Sequence, residues 1–204
     1  MATIAVLGTF DTKGPEHAFL AAAIQRAGFI PLLIDVGTLA APTVVADISA
    51  DTVARAAGEP DYAALLARRD RGECVTFMGR AAAALVSSLA AAGRIQGIIS
   101  LGGGGGTAIA TAAMRALPIG FPKLMVSTLA SGQVAPYVGT SDLTMMPALV
   151  DVSGLNRVSR AIFTNAAGAI AGMVSARSSP SPRPPRLPKN PSSSPASSAT
   201  RPPA

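Results

Sequence analysis

Gly97-Ile98-Ile99-Ser100-Leu101-Gly102-Gly103-Gly104-Gly105-Gly106-Thr107 is the stretch on which the reading of this chain turns. Its first five residues read as a buried strand, the glycines as a loop, and the Ala-rich run from Ala108 to Leu117 as a helix. Strand, glycine loop and helix together offer bare backbone N–H groups and a positive helix end to an anion. Thr107, at the expected helix start, either caps the helix or donates its hydroxyl to a phosphate oxygen. A plain flexible turn is the competing reading, at the entropic cost that five glycines carry. Neither named phosphate motif is complete. No Lys-Ser/Thr pair follows Gly106, and Thr107 occupies the third glycine position of the dinucleotide fingerprint.

Outward from that stretch, the first 36 residues spell one βαβ unit. Thr3–Leu7 is a short apolar run, and the loop Gly8-Thr9-Phe10-Asp11-Thr12-Lys13-Gly14 follows it. Pro15 suits the first turn of a helix that stops at Gly28, and residues 30–35 form the second strand. Such a unit implies a parallel sheet with a right-handed crossover. Asp11, Thr12 and Lys13 then lie at the carboxyl end of the first strand, the edge where open α/β sheets bind ligands.

Further along, residues 51–57 and 61–69 read as short helices and residues 72–92 as a long one. The tetra-alanine of that long helix, Ala81 to Ala84, allows close packing. Residues 123–127 and 143–146 read as strands. The last helix, about 155–175, carries small residues (Ala166, Ala167, Gly168, Ala169, Ala171, Gly172) suited to a tight helix contact, within or between subunits. The expectation is a Rossmann-like α/β domain over residues 1–176, a mostly parallel sheet flanked by helices. A disordered, basic Pro/Ser-rich tail over 177–204 follows it, since that segment has almost nothing to bury.

The net charge of +6 resembles that of a nucleic-acid binder, but its distribution argues otherwise. Five of the seventeen basic residues lie after Ala176 and none of the eleven acids does, which leaves twelve against eleven in the body. No polynucleotide partner is expected for the folded part. One cysteine, Cys74, excludes an internal disulfide, and no run of eighteen uninterrupted apolar residues suggests a membrane span. A cytoplasmic location is the expectation.

Chemistry is harder to place. His17, the single histidine, sits beside Glu16 in the first helix, where a surface position explains it. Cys74 has no evident activator, and one Cys with one His makes a zinc site improbable. Mg²⁺ carried by a nucleotide, near Asp11 or Asp142, stays open. No acid–base pair stands out, so the residues argue for binding more clearly than for turnover.

Several stretches in order carry a resemblance. They are the Gly8–Gly14 loop, the glycine run to Thr107, Leu117-Pro118-Ile119-Gly120, Ser127-Thr128-Leu129-Ala130-Ser131-Gly132, residues 137–142 (YVGTSD) and residues 150–159 (VDVSGLNRVS). Over about residues 3–175 the chain resembles the N-terminal ATP-binding domain family of the tomato mosaic virus resistance protein. The resemblance implies an ATP-binding, homodimeric domain. By matching position it implies nucleotide contacts from Asp11, Thr12, Lys13, Thr38 and Arg80, with the backbone of Gly103, Gly104, Gly105 and Gly106. In the plant relative the domain binds a viral replication protein, so a protein-interaction role stabilised by ATP is one alternative. A nucleotide- or phosphate-dependent enzyme acting on a small molecule is the other. This chain departs from the family at Gly104, where a serine is usual. It also departs at the tail, which stands where the family continues into a second domain, as in a truncated or frame-shifted gene.

Overall fold

The computed structural model describes residues 1–58, 62–68, 70–152 and 154–178; of the tail expected to be disordered, Arg177 and Ser178 instead end the last helix, and residues 179–204 lie outside the described residues. Five strands form one parallel sheet: β1 (Thr3–Gly8), β2 (Ile30–Asp35), β3 (Gly97–Gly102), β4 (Lys123–Ser127) and β5 (Thr144–Pro147). Their spatial order is β2-β1-β3-β4-β5. Growth of the sheet reverses direction between β1 and β3, and that switch point opens a crevice at the carboxyl ends of the two strands.

The three central strands β1, β3 and β4 are buried on both faces, so each reads as a near-continuous apolar run and its side chains divide by the two-residue period. Ile4 and Val6 face α1 (Phe10–Arg26) and α7 (Arg157–Ser178), in a core with Leu20, Ile24, Phe163 and Ile170. Ala5 and Leu7 face the opposite layer of α2 (Ala50–Ala56), α3 (Tyr62–Ala67), α4 (Arg71–Ala91) and α5 (Gly104–Arg115). A short α6 (Ala135–Val138) links β4 to β5. The expected α/β sandwich is what folds.

Small side chains let α4 and α5 approach closely. Ala81, Ala82, Ala110 and Ala113 are buried between them, and a Cβ on Gly79 would lie 3.3 Å from that of Ala112. Of the described helices, α4 alone is long and apolar enough to cross a membrane. Its charged residues Arg71, Glu73 and Arg80 interrupt any uninterrupted apolar count, and its buried side is core to this domain.

Two boundaries beside the crevice differ from the sequence reading. The first helix starts at Phe10, five residues before Pro15, and bends at Lys13 (φ −138°, ψ 30°). The bend follows from Pro15, whose ring crowds the carbonyl four residues earlier. The glycine loop is shorter than expected, because α5 begins at Gly104 with Gly103 as its N-cap. None of the five glycines has a positive φ, so all of these residues lie within ordinary helical or extended backbone.

Candidate functional site

At the crevice between β1 and β3, the turn after each strand supplies one wall. From β1 come Thr9, Asp11, Thr12 and Lys13; from β3 come Gly103 to Gly106; Thr38 and Leu39 follow β2. Together with Arg71, Val75 and Ile109 they line a cavity of about 210 Å³. Eight of the nine expected contact residues are therefore brought together. Arg80 is the exception.

Arg80 is exposed and absent from this lining. The cation that α4 does contribute is Arg71, its first residue, whose Nη2 lies 3.5 Å from where a Gly105 side chain would begin. Arg80 lies nine residues on, about two and a half turns and 13 Å along the axis, so it leaves the opposite side of the helix. The only sequence signal for Arg71 was its position directly after Asp70, whose carboxylate caps the helix at the Glu73 N–H (2.9 Å).

The glycine turn owes its composition to two things. A Cβ on Gly102 would meet the Gly106 backbone at 3.3 Å, which explains that residue by packing. A Cβ on Gly104 would meet nothing within 4 Å, so neither packing nor φ requires glycine there. What remains is access. The N–H groups of Gly104, Gly105 and Gly106 belong to the first turn of a helix and lack intrahelical acceptors. Thr107 does neither job foreseen for it: it is fully buried, with its hydroxyl 2.7 Å from that of Ser127.

Asp11 is an acid in a cleft otherwise suited to anions, and its bonding explains this. Oδ2 accepts from the N–H groups of Thr38 (3.1 Å), Leu39 (2.8 Å) and Ala40 (3.4 Å), which ties the loop after β2 to the loop after β1. Oδ1 is buried without a hydrogen-bond partner among the described residues. Beneath it, Asp35 accepts from the N–H groups of Phe10 (3.0 Å) and Gly37 (2.9 Å), and the Tyr62 hydroxyl donates to the Gly37 carbonyl (2.6 Å). Burial raises the pKa of the Asp35 carboxyl and of the Tyr62 phenol. Two loops are thereby fixed as one unit around the cavity.

Lys13, at the bend in α1, donates through Nζ to the carbonyl of Val152. Glu16 is buried and its Oε1 accepts from the Gly154 N–H (2.5 Å), so α1 holds the segment after β5 at two points. His17 is fully buried, contrary to the expected surface position. Its Nδ1–H donates to the Lys13 carbonyl (2.7 Å), and its ring packs on Gly8, where a Cβ would fall 1.9 Å from Nε2. Burial pushes its pKa down to about 4, against the pull of the Lys13 carbonyl and Glu16.

Asp142 lies elsewhere than expected. It pairs with Lys123 (2.5 Å) at the amino end of β4 and accepts from the Gly120 N–H (2.6 Å). That is the opposite edge of the sheet from the glycine turn, a strand length or about 13 Å away. The Lys123 ammonium lowers the pKa of the Asp142 carboxyl, helped by the Gly120 N–H. The pair is structural, and Asp142 is removed from the candidate site.

A second cavity, of about 540 Å³, adjoins the first across Thr38, Leu39 and Arg71 and is floored by Leu66, Ala67 and Cys74. Cys74 is buried, and burial raises its thiol pKa, in keeping with a packing role.

Residues 2–179 match the N-terminal domain of UPF0261, described as an uncharacterised protein family. A UPF0261 protein of Rhizobium meliloti is 53% identical over 173 residues, covering 85% of this chain and 42% of that protein. One from Clostridium tetani is 46% identical over 171 residues, covering 84% and 42%. The ToMV resistance protein Tm-1(GCR237) of Solanum lycopersicum is 45% identical over 107 residues, covering 52% of this chain and 14% of the plant protein. The chain thus spans less than half the length of these bacterial relatives.

Proposed function

The chain belongs to the UPF0261 family, and we propose that it binds ATP at the β1–β3 crevice, with the phosphates on the first turn of α5. The observation that carries this is the bare turn itself: three first-turn N–H groups with no acceptor among the described residues, a Gly104 with no structural need to be glycine, and two cations, Lys13 and Arg71, on the same cavity. The smaller cavity is of a size for phosphates rather than a whole nucleotide, whereas pockets for complete small ligands run from roughly 300 to 1,000 Å³. The adjoining cavity, walled by Leu39, Leu66 and Ala67, takes the adenosine. Asp11 Oδ1, buried and unpartnered among the described residues, is the acceptor that a Mg²⁺ travelling with the phosphates would satisfy. Lys13 must exchange the Val152 carbonyl for a phosphate oxygen to take part.

Calorimetric titration of the purified protein with ATP and Mg²⁺ tests the reading. Lys13→Ala and Arg71→Ala are each expected to weaken binding by roughly 10- to 100-fold, the usual worth of one charge-assisted hydrogen bond. Arg80→Ala is expected to change nothing. Gly104→Ala discriminates most sharply. Its methyl meets no protein atom, so stability should hold or rise by up to about 1 kcal/mol while affinity falls. A folded wild-type protein that gives no heat at millimolar ATP overturns the proposal.

The homodimer implied by the resemblance is part of the same proposal. Gly168 and Gly172 lie on the exposed side of α7, where a Cβ on either meets nothing within 4 Å, so another backbone can approach there. Light scattering is expected to give twice the chain mass; a mass of one chain removes the dimer from the reading.

A further inference from the structure

A third cavity, of about 420 Å³, opens at the same carboxyl edge over the ends of β4 and β5. Two hydroxyl- and acid-bearing stretches that no nucleotide contact uses converge on it. Thr128 and Ser131 come from the turn after β4, and Asp151 from the segment after β5. Pro147 to Val150 form the apolar wall, and no cation is among the described residues that line it.

The wall has an unusual backbone. Leu149 is the one non-glycine residue with positive φ (61°) among the described residues, and the residue is 78% exposed. Burial of that side chain therefore does not compensate the strain, and strain of this kind gathers at ligand-binding segments. The segment is nevertheless held in shape. The Ala148 N–H donates to the Ser127 carbonyl (3.0 Å), Lys13 holds the Val152 carbonyl, and Glu16 holds Gly154.

Thr128 joins this cavity to the glycine turn. Its N–H donates to the Gly102 carbonyl (3.2 Å), and its hydroxyl lies 3.7 Å from where a Gly103 side chain would start. Gly103 lines one cavity and Thr128 the other, so the two are separated by a single ridge.

We propose that this third cavity is a second ligand site, for a small aliphatic molecule carrying a hydrogen-bond donor, a hydroxyl or a protonated amine. Two hydroxyls and a carboxylate accept such donors, and the Pro147–Val150 wall covers a few carbons. With Asp151 and no cation among the described lining residues, an anion finds no partner there. That this molecule sits beside the phosphates of ATP rests on the nucleotide reading; the site itself does not.

The test is a two-dimensional amide NMR titration of nucleotide-free protein with ethanolamine, glycerol and glycolate, each to tens of millimolar. Ethanolamine, glycerol or both should shift the amides of residues 128–131 and 148–151, and glycolate should not. A response to one of the two names the donor. Thr128→Val should weaken whichever binds at least fivefold, and Asp151→Asn should weaken ethanolamine at least fivefold while sparing glycerol. Unchanged spectra elsewhere show that each variant is folded. No shifts from either donor, equal shifts from glycolate, or affinities unaltered in both variants would overturn the site. Because nucleotide is absent, a failed ATP titration alongside a positive result here discards the nucleotide reading alone.

Discussion

Asp142→Ala is expected to lower the unfolding free energy by about 3 kcal/mol, the scale of leaving one member of a buried ion pair uncompensated. The Lys123 side chain is fully buried, while that of Asp142 is 37% exposed. Without the carboxylate, the ammonium keeps only the carbonyls of Pro118 (2.9 Å) and Leu117 (3.4 Å). The Gly120 N–H loses its acceptor as well, at a position whose φ of +81° already depends on the turn being held. Lys123→Met, which removes the buried charge itself, should cost clearly less, and the double variant should resemble it. Urea denaturation reads all three. ATP affinity should stay unchanged in each folded variant, because the pair and the glycine turn lie at opposite ends of the sheet. A loss of only a few tenths of a kcal/mol for Asp142→Ala, or a loss of nucleotide affinity, would contradict this account.

Acidification should destabilise the domain through His17. Its folded pKa of about 4 lies below the ordinary 6.5, so the unfolded chain takes up a proton more readily than the folded one. The stabilising contribution is whole above pH 6.5 and is lost as pH falls toward 4, amounting to roughly 3 kcal/mol across that window. Asp35 works in the opposite direction, since its raised pKa favours the folded state as it gains a proton. Asp142, with a lowered pKa, adds to the acid loss only near and below the carboxylate range. Subtracting the pH profile of a folded His17→Gln variant from that of the wild type isolates the histidine. A difference that stays flat between pH 6.5 and 4 would show that the ring is not held neutral.

Much of this architecture was readable from local pattern. Apolar runs of five or six residues alternating with helical segments specify a parallel sheet, and the Gly8 and Gly102 turns specify the edge at which the crevice opens. Asp11, Thr12 and Lys13 were placed at that edge by the strand end they follow, and Thr38 by the resemblance. What local pattern does not carry is which side of a helix faces the site, or which end of a strand a distant loop returns to. Arg71 and Arg80 differ by half a turn of phase, and the α4–α5 packing alone decides between them. Asp142 follows a polar, glycine-bearing turn that resembles a ligand loop until Lys123 is seen beneath it. His17 has an ordinary helical neighbourhood in sequence; only the bend at Lys13 and the missing side chain of Gly8 reveal that it is enclosed. The five glycines conceal a helix start, since low helix propensity is a weak constraint once Gly103 caps the turn and Thr107 is anchored to Ser127.

One margin of the sheet is already occupied, and the other is poorly suited to a further strand. Beside β2, the chain at Asp47 and Ile48 already occupies the outer hydrogen-bonding groups of Leu33 and Asp35, and Pro31 has no N–H to offer. Beside β4, the outermost strand is β5, only four residues long and ending in Pro147. Short edges with proline resist pairing with another chain. Continuing the sheet from one copy into the next is therefore obstructed at β2 and disfavoured at β5. The helices and loops around the sheet are the surfaces better suited to contact, so contacts there can change without the sheet changing.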